Sequence, residues 1–147
     1  IGDGPLLSDC KSRAKALGIE EQIVYLPSTV NVPQYLKSAH VLFITDTDEF
    51  SEDIMLQAAY AQVPMLLSKT EHRLDIFSHL ESAYFCEPHA LELLTTGLSA
   101  LMNDVELRKQ MADQALMAAQ DYFHQDPTLF QRKYRASVEG AMFIEGN

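Results

Sequence analysis

The chain has 147 residues, 47% of them apolar and 22% charged, a balance that supports one globular domain with its own hydrophobic core. A formal net charge of -10 and a pI near 4.8 argue against a nucleic-acid or anionic-membrane surface, since both need clustered Lys and Arg to displace counterions. No apolar run approaches the roughly 20 residues of a membrane span and no basic-then-apolar leader opens the chain, so a cytoplasmic protein is expected.

The chain starts at Ile1-Gly2-Asp3-Gly4-Pro5 without an initiator Met, as a strand end leading into a helix would look. The expectation is a single domain over 1–147, truncated at its first strand and taken from a longer protein. Helical patterns run Pro5–Leu17, stopped by Gly18, then Val32–Ala39, Glu52–Ala61 and Thr70–His79. Between them lie short runs rich in β-branched and aromatic residues at Gln22–Leu26, His40–Ile44, Pro64–Leu67 and Ser82–Cys86. This alternation predicts an α/β fold with a doubly wound parallel sheet, and QIVYL and HVLFI carry little polar character on either face, as strands covered on both sides do.

From about Pro88 to residue 147 only helices are expected. Leu91, Leu94, Leu98, Leu101 and Met102 form one apolar stripe, and Leu107, Met111, Ala115, Ala118 and Tyr122 the next, with Asn103 or Asp104 as cap between them. Asp126-Pro127 then opens a last helix carrying Phe130, Tyr134 and Val138. Cys10 and Cys86 have no C-x-x-C spacing and are expected to be small buried residues.

In open parallel sheets ligands sit beyond the carboxyl ends of the strands, which directs attention to four segments. Gly2-Asp3-Gly4-Pro5 is a tight turn whose free N–H groups can face an anion, or a purely structural turn. Pro27-Ser28-Thr29-Val30-Asn31 is a polar loop whose Val30 can lie against a flat base, or an ordinary βα loop. Thr45 to Asp53 holds five carboxylates in nine residues, without the Gly and Glu of an EF-hand loop. Glu52 and Asp53 suit the first turn of the following helix, where carboxylates offset the macrodipole, whereas Glu49 lies between strand and helix and is the best site candidate. Ser68-Lys69-Thr70-Glu71-His72-Arg73 gathers basic groups near a strand end, with Lys69 or Arg73 available for a phosphate or simply solvated. The five histidines show no paired ligand spacing, no metal is expected, and no hydrolase triad or G-x-S-x-G is legible.

The order Gly2-Asp3-Gly4-Pro5, Leu17-Gly18, Val24-Tyr25-Leu26-Pro27 and Tyr35-Leu36-Lys37-Ser38-Ala39-His40-Val41 resembles the C-terminal, nucleotide-sugar-binding domain of retaining GT-B glycosyltransferases, the group 1 and glycogen-synthase-like superfamily. The resemblance runs from Ile1 to about Phe123. The family's Glu, seven residues, Glu, then Ala-Met-Ala-x-Gly-x-Pro is matched by Glu49, seven residues, Gln57, then Ala58-Ala59-Tyr60-Ala61-Gln62-Val63-Pro64. The usual Phe-Gly has become Ser51-Glu52, and Gly-Gly-x-x-Glu is represented only by Thr70 to Asp75, which makes this a divergent member.

The resemblance implies a Rossmann-like domain of a hexosyltransferase of polysaccharide biosynthesis that takes a nucleoside diphosphate sugar and needs no cofactor. Glu49 would sit at the catalytic centre near the donor sugar. Donor contacts would come from Gly2, Gly4, Pro27, Val30, Phe50, Ser51, Glu52 and Gln57, with Gln57 on the ribose. A neutral amide in place of a carboxylate at Gln57 weakens ribose binding by about 1 kcal/mol, less than tenfold. The partner implied within the same protein is an N-terminal acceptor domain, without which the chain is expected to be inactive and through which the protein could lie peripheral to a membrane. Two other readings stand beside this one: a noncatalytic GT-B-like domain that binds or stabilises another protein, and a receiver-like module with Asp46 or Asp48 as phosphoacceptor.

Overall fold

A computed structural model describes residues 1–47 and 52–125. The chain divides into two compact units, Ile1–Val32 and Pro33–Asn147. In the first, helix α1 (Leu7–Ala16) is followed by a short 3-10 turn at Glu20–Gln22. Gly18, at φ +68, ends α1: its amide donates to Lys15 O and that of Ile19 to Ala14 O, both at 3.0 Å, the paired closure that a left-handed residue makes possible. Pro5 lies in the turn before α1 rather than in its first turn.

The strand expected at Gln22–Leu26 is not formed as a ladder. Residues 23–27 run without regular secondary structure, and their link to the chain start is one backbone bond, Gly2 N to Leu26 O at 2.9 Å. The apolar, β-branched composition predicts a strand here, but a strand also needs a run of backbone partners, which this segment does not have. Cys10 is exposed, contrary to expectation, although it stands one helical turn from Ala14, the one buried residue of α1, so burial on this face does not extend to the helix start.

The second unit carries the sheet. Helix α2 (Val32–Leu36) leads to β1 (Leu42–Ile44), α3 (Glu52–Tyr60), β2 (Met65–Ser68), α4 (Glu71–Ile76), β3 (Tyr84–Cys86), α5 (Leu91–Asn103) and α6 (Val105–Gln125). The strands are parallel in the order β1-β2-β3, with Phe43 opposite Leu66 and Leu66 opposite Tyr84. This is the expected α/β architecture, with a helix between each pair of consecutive strands. All four residues of β2 are buried, so the central strand is covered on both faces.

Leu66 and Cys86 share one face with Leu101 and Met111, and Val41, Tyr84, Leu94, Leu98 and Leu107 pack around them. The two helical stripes therefore do cover the sheet, although Leu91 and Met102 are exposed. Asp104 caps α6 by accepting from Leu107 N at 2.9 Å, as expected. Helix α4 is shorter than predicted: Phe77 turns to extended backbone, and His79 instead accepts a hydrogen bond from Phe85 N through Nδ1 at 3.0 Å. The last predicted helix, with Phe130, Tyr134 and Val138, lies outside the described residues.

Candidate functional site

The strand ends supply the site's framework. Ser68, the last residue of β2, is 1% exposed and faces Asp46, two residues beyond β1. Arg73, on α4, is also 1% exposed and fills the space between them. Its Nη1 donates to Asp46 O at 2.8 Å, Ser68 O at 2.9 Å and Ser68 Oγ at 2.7 Å, and its Nη2 to Asp46 Oδ1 at 2.7 Å. The Ser68 hydroxyl in turn donates to the Asp46 carbonyl. A buried guanidinium needs a compensating carboxylate and nearby acceptors, and Asp46 supplies the carboxylate while two carbonyls and the Ser68 hydroxyl accept from Nη1.

Arg73 is thus committed to the fold, not exposed to a phosphate as one sequence reading allowed. Lys69 pairs at the surface with Glu87 at 2.9 Å. The Thr70 hydroxyl caps α4 by accepting from Arg73 N at 3.3 Å, which sets the turn that delivers the guanidinium.

A second cluster forms at the first turn of α3. Glu52 Oε2 lies 3.0 Å from His72 Nε2, and Glu52 Oε1 accepts from the Tyr122 hydroxyl at 3.4 Å. Three helices, α3, α4 and α6, thereby meet on one carboxylate. The sequence places Glu52 at the helix dipole and, through the resemblance, among the donor contacts; His72 is 20 residues away and Tyr122 is 70, so no local spacing signals their contact with it. Gln57 lies on the exposed side of α3. Glu49, Phe50 and Ser51 lie outside the described residues.

In the first unit, the glycine turn and the loop after Leu26 are joined by a side chain. Asp3 Oδ2 accepts from the Ser28 amide at 2.8 Å and from the Ser28 hydroxyl at 2.7 Å. These bonds, the hydroxyl's first and then the amide's, hold the Asp3 carboxyl below the ordinary carboxylate range. Gly2, at φ +145, adopts backbone that L side chains rarely enter, and nothing stands within 4 Å of where a Cβ would be on Gly2 or Gly4. Pro27 is exposed and Val30 half-buried. Sequence reasoning had treated Asp3 as a turn residue; a carboxylate flanked by two glycines, facing a Ser-Thr loop, was the available signal. Among the described residues no group of three or more His, Cys, Asp or Glu side chains comes together as a metal-ligand set.

Residues 1–116 match the family described as glycosyl transferases group 1. The chain belongs to that family. It is 27% identical over 123 residues to a Haemophilus influenzae protein described as an uncharacterized glycosyltransferase, covering 83% of this chain and 35% of that protein. It is 22% identical over 131 residues to the N-acetyl-alpha-D-glucosaminyl L-malate synthase of Bacillus anthracis, covering 89% and 34%. The chain thus spans about a third of the length of the curated relatives it matches.

The fold is also similar to that of solved structures. The C-terminal domain of the group 1 protein LpcC from Francisella tularensis superposes with a TM-score of 0.68 at 18% identity, covering 82% of this chain and 65% of that one. Anabaena HepE, in complex with UDP-glucose, superposes with a TM-score of 0.74 at 16% identity, covering 95% and 39%.

Proposed function

We propose that this chain is the donor-binding part of a retaining glycosyltransferase whose intact form transfers a hexose from a nucleoside diphosphate sugar, without a metal or other cofactor. The observation that carries the reading is the match of residues 1–116 to the group 1 family. The UDP-glucose held by HepE supports a nucleotide sugar as ligand.

In this reading the Pro27 to Val30 loop takes the base, Gly2 and Gly4 let backbone amides approach the donor, Gln57 holds the ribose, and Glu49, with Phe50, Ser51 and Glu52, lies along the donor sugar and diphosphate. Rate enhancement comes from orienting the donor and stabilising the departing diphosphate with fixed hydrogen-bond donors. An acceptor domain elsewhere in the protein completes the site, so the 147-residue chain by itself does not transfer. Polysaccharide biosynthesis is the process this chemistry serves, carried out by a protein in the cytoplasm or peripheral to the membrane through its acceptor domain.

The test is nucleoside diphosphate release by the full-length parent over a panel of UDP-, GDP- and ADP-sugars, with Glu49→Ala as control. Release that collapses in the variant supports the reading, and wild-type rates in the variant sink the role of Glu49. A second reading, a noncatalytic partner domain, is favoured by one feature: Glu52, where the family has glycine, is engaged by His72 and Tyr122. Absence of both release and donor binding across the panel would select it.

A further inference from the structure

We infer that Asp46 is a hydroxyl-binding residue of the donor site and that Arg73 is the positioning residue that aims it. The inference rests on the donor-binding reading above. Asp46 follows β1 at its carboxyl end, where ligands of parallel sheets sit. Its side chain is 51% exposed, while the guanidinium that holds it is 1% exposed. Charge compensation alone needs only the contact between Oδ1 and Nη2; it does not need half the carboxylate to remain in solvent.

Fixation is the second part of the argument. The Asp46 backbone is held as firmly as its side chain, since the carbonyl accepts from Arg73 Nη1 and from the Ser68 hydroxyl. Main chain and one carboxylate oxygen are therefore immobilised together, so binding a ligand through the exposed part of the group costs little further conformational entropy. The pairing also cancels the charge. A bare carboxylate at this position would repel a nucleoside diphosphate, whereas the Asp46–Arg73 pair is neutral overall and still presents an acceptor stronger than a neutral oxygen. Sugar and ribose hydroxyls are the donors that such an acceptor takes.

The experiment measures donor KM and kcat in the full-length parent for the wild type, Asp46→Ala, Asp46→Asn and Arg73→Lys. The probes are UDP-glucose, GDP-mannose and ADP-glucose, followed by the monodeoxy analogues of the sugar and ribose of whichever is used. Asp46→Ala is expected to raise donor KM about tenfold, and this loss is expected to disappear with the one analogue lacking the contacted hydroxyl. Asp46→Asn keeps the shape and the bond to Arg73, guards against misfolding, and is expected to fall between the two. Arg73→Lys, which keeps the charge but not the fork, is expected to lose the same analogue dependence.

A wild-type enzyme that works while Asp46→Ala and Asp46→Asn match it, or lose the same factor with every analogue, overturns the assignment alone. A wild-type protein that neither binds nor cleaves any donor overturns the donor-binding reading and this inference with it.

Discussion

Asp3 and Arg73 show how one side chain can be spent on fixing a loop. The hydrogen bonds from Ser28 favour the charged form of Asp3, so its folded pKa is depressed below the ordinary value of 3.8. A depressed carboxylate contributes stability above its unfolded pKa and loses it as pH falls through the folded one. The contribution of this fully exposed group therefore fades only in acid below the ordinary carboxylate range. Ser28→Ala is expected to return the Asp3 titration, followed by carboxyl carbon NMR, towards 3.8; an unchanged titration would mean that the contact does not persist in solution. At Arg73 the stake is larger, because truncation leaves the buried Ser68 groups without their partner. Arg73→Ala is expected to cost about 3 kcal/mol in a denaturant melt.

The elements also carry their costs at particular positions. Helix α3 closes with Val63 N to Ala58 O at 2.9 Å and Gln62 N to Ala59 O at 3.1 Å, the same left-handed closure that Gly18 provides for α1. Here, however, Gln62 occupies it at φ +53, where the family pattern has glycine. The amide partly offsets the strain by donating to Asp113 Oδ1 at 2.8 Å. Gln62→Gly is expected to stabilise the protein by about 1 kcal/mol, with the loss of that surface bond the smaller effect. In α5, a Cβ on Gly97 would stand 2.6 Å from Tyr84 Cε1 and 3.0 Å from Leu66 Cδ1. Glycine is there because the helix approaches the sheet that closely. Gly97→Ala is expected to lower stability by about 1–2 kcal/mol despite alanine's better helix propensity, and a gain in the melt would show that Tyr84 yields freely.

These cases mark how far the sequence could be read. The strands at Met65 and Tyr84 were legible because buried parallel strands are apolar on both faces, and the α5 and α6 stripes because their period matches the helix; the strand at Leu42 has the same composition, although Phe43 on one of its faces is exposed. The failures have different causes. Gln22–Leu26 has strand composition, but pairing depends on neighbours that composition does not encode. Residue type alone placed Cys10 in the interior, whereas α1 buries only Ala14 on that face and leaves Cys10, one turn earlier, exposed. Of the candidate segments, those after β1 and β2 do come together, since parallel topology places them side by side. The Asp46–Ser68–Arg73 and Glu52–His72–Tyr122 contacts were not legible, because they join groups far apart in sequence.

For the molecule as a whole, the proposed donor site lies at the carboxyl ends of the strands, where open parallel sheets hold their ligands. The opposite end offers a contrast. A groove of about 370 Å³, lined by His40, Gln62, Pro64, Arg108, Lys109 and Asp113, lies beside the residues that lead into β1 and β2. Its basic groups stand out in an acidic chain, yet Arg108 is occupied in capping α5, donating to Leu101 O at 2.6 Å and Met102 O at 3.0 Å. No helix among the described residues is long and apolar enough to cross a membrane.

Hydrogen exchange of the full-length parent, with and without saturating donor from the nucleoside diphosphate sugar panel, tests this placement most directly. The account predicts slowed exchange at the amides of Gly2 to Gly4, Ser28 to Val30 and the segment from Thr45 into the first turn of α3, with no change around Arg108 and Lys109. Protection confined to the Arg108 groove, or donor binding that leaves all three loop segments unchanged, would contradict it.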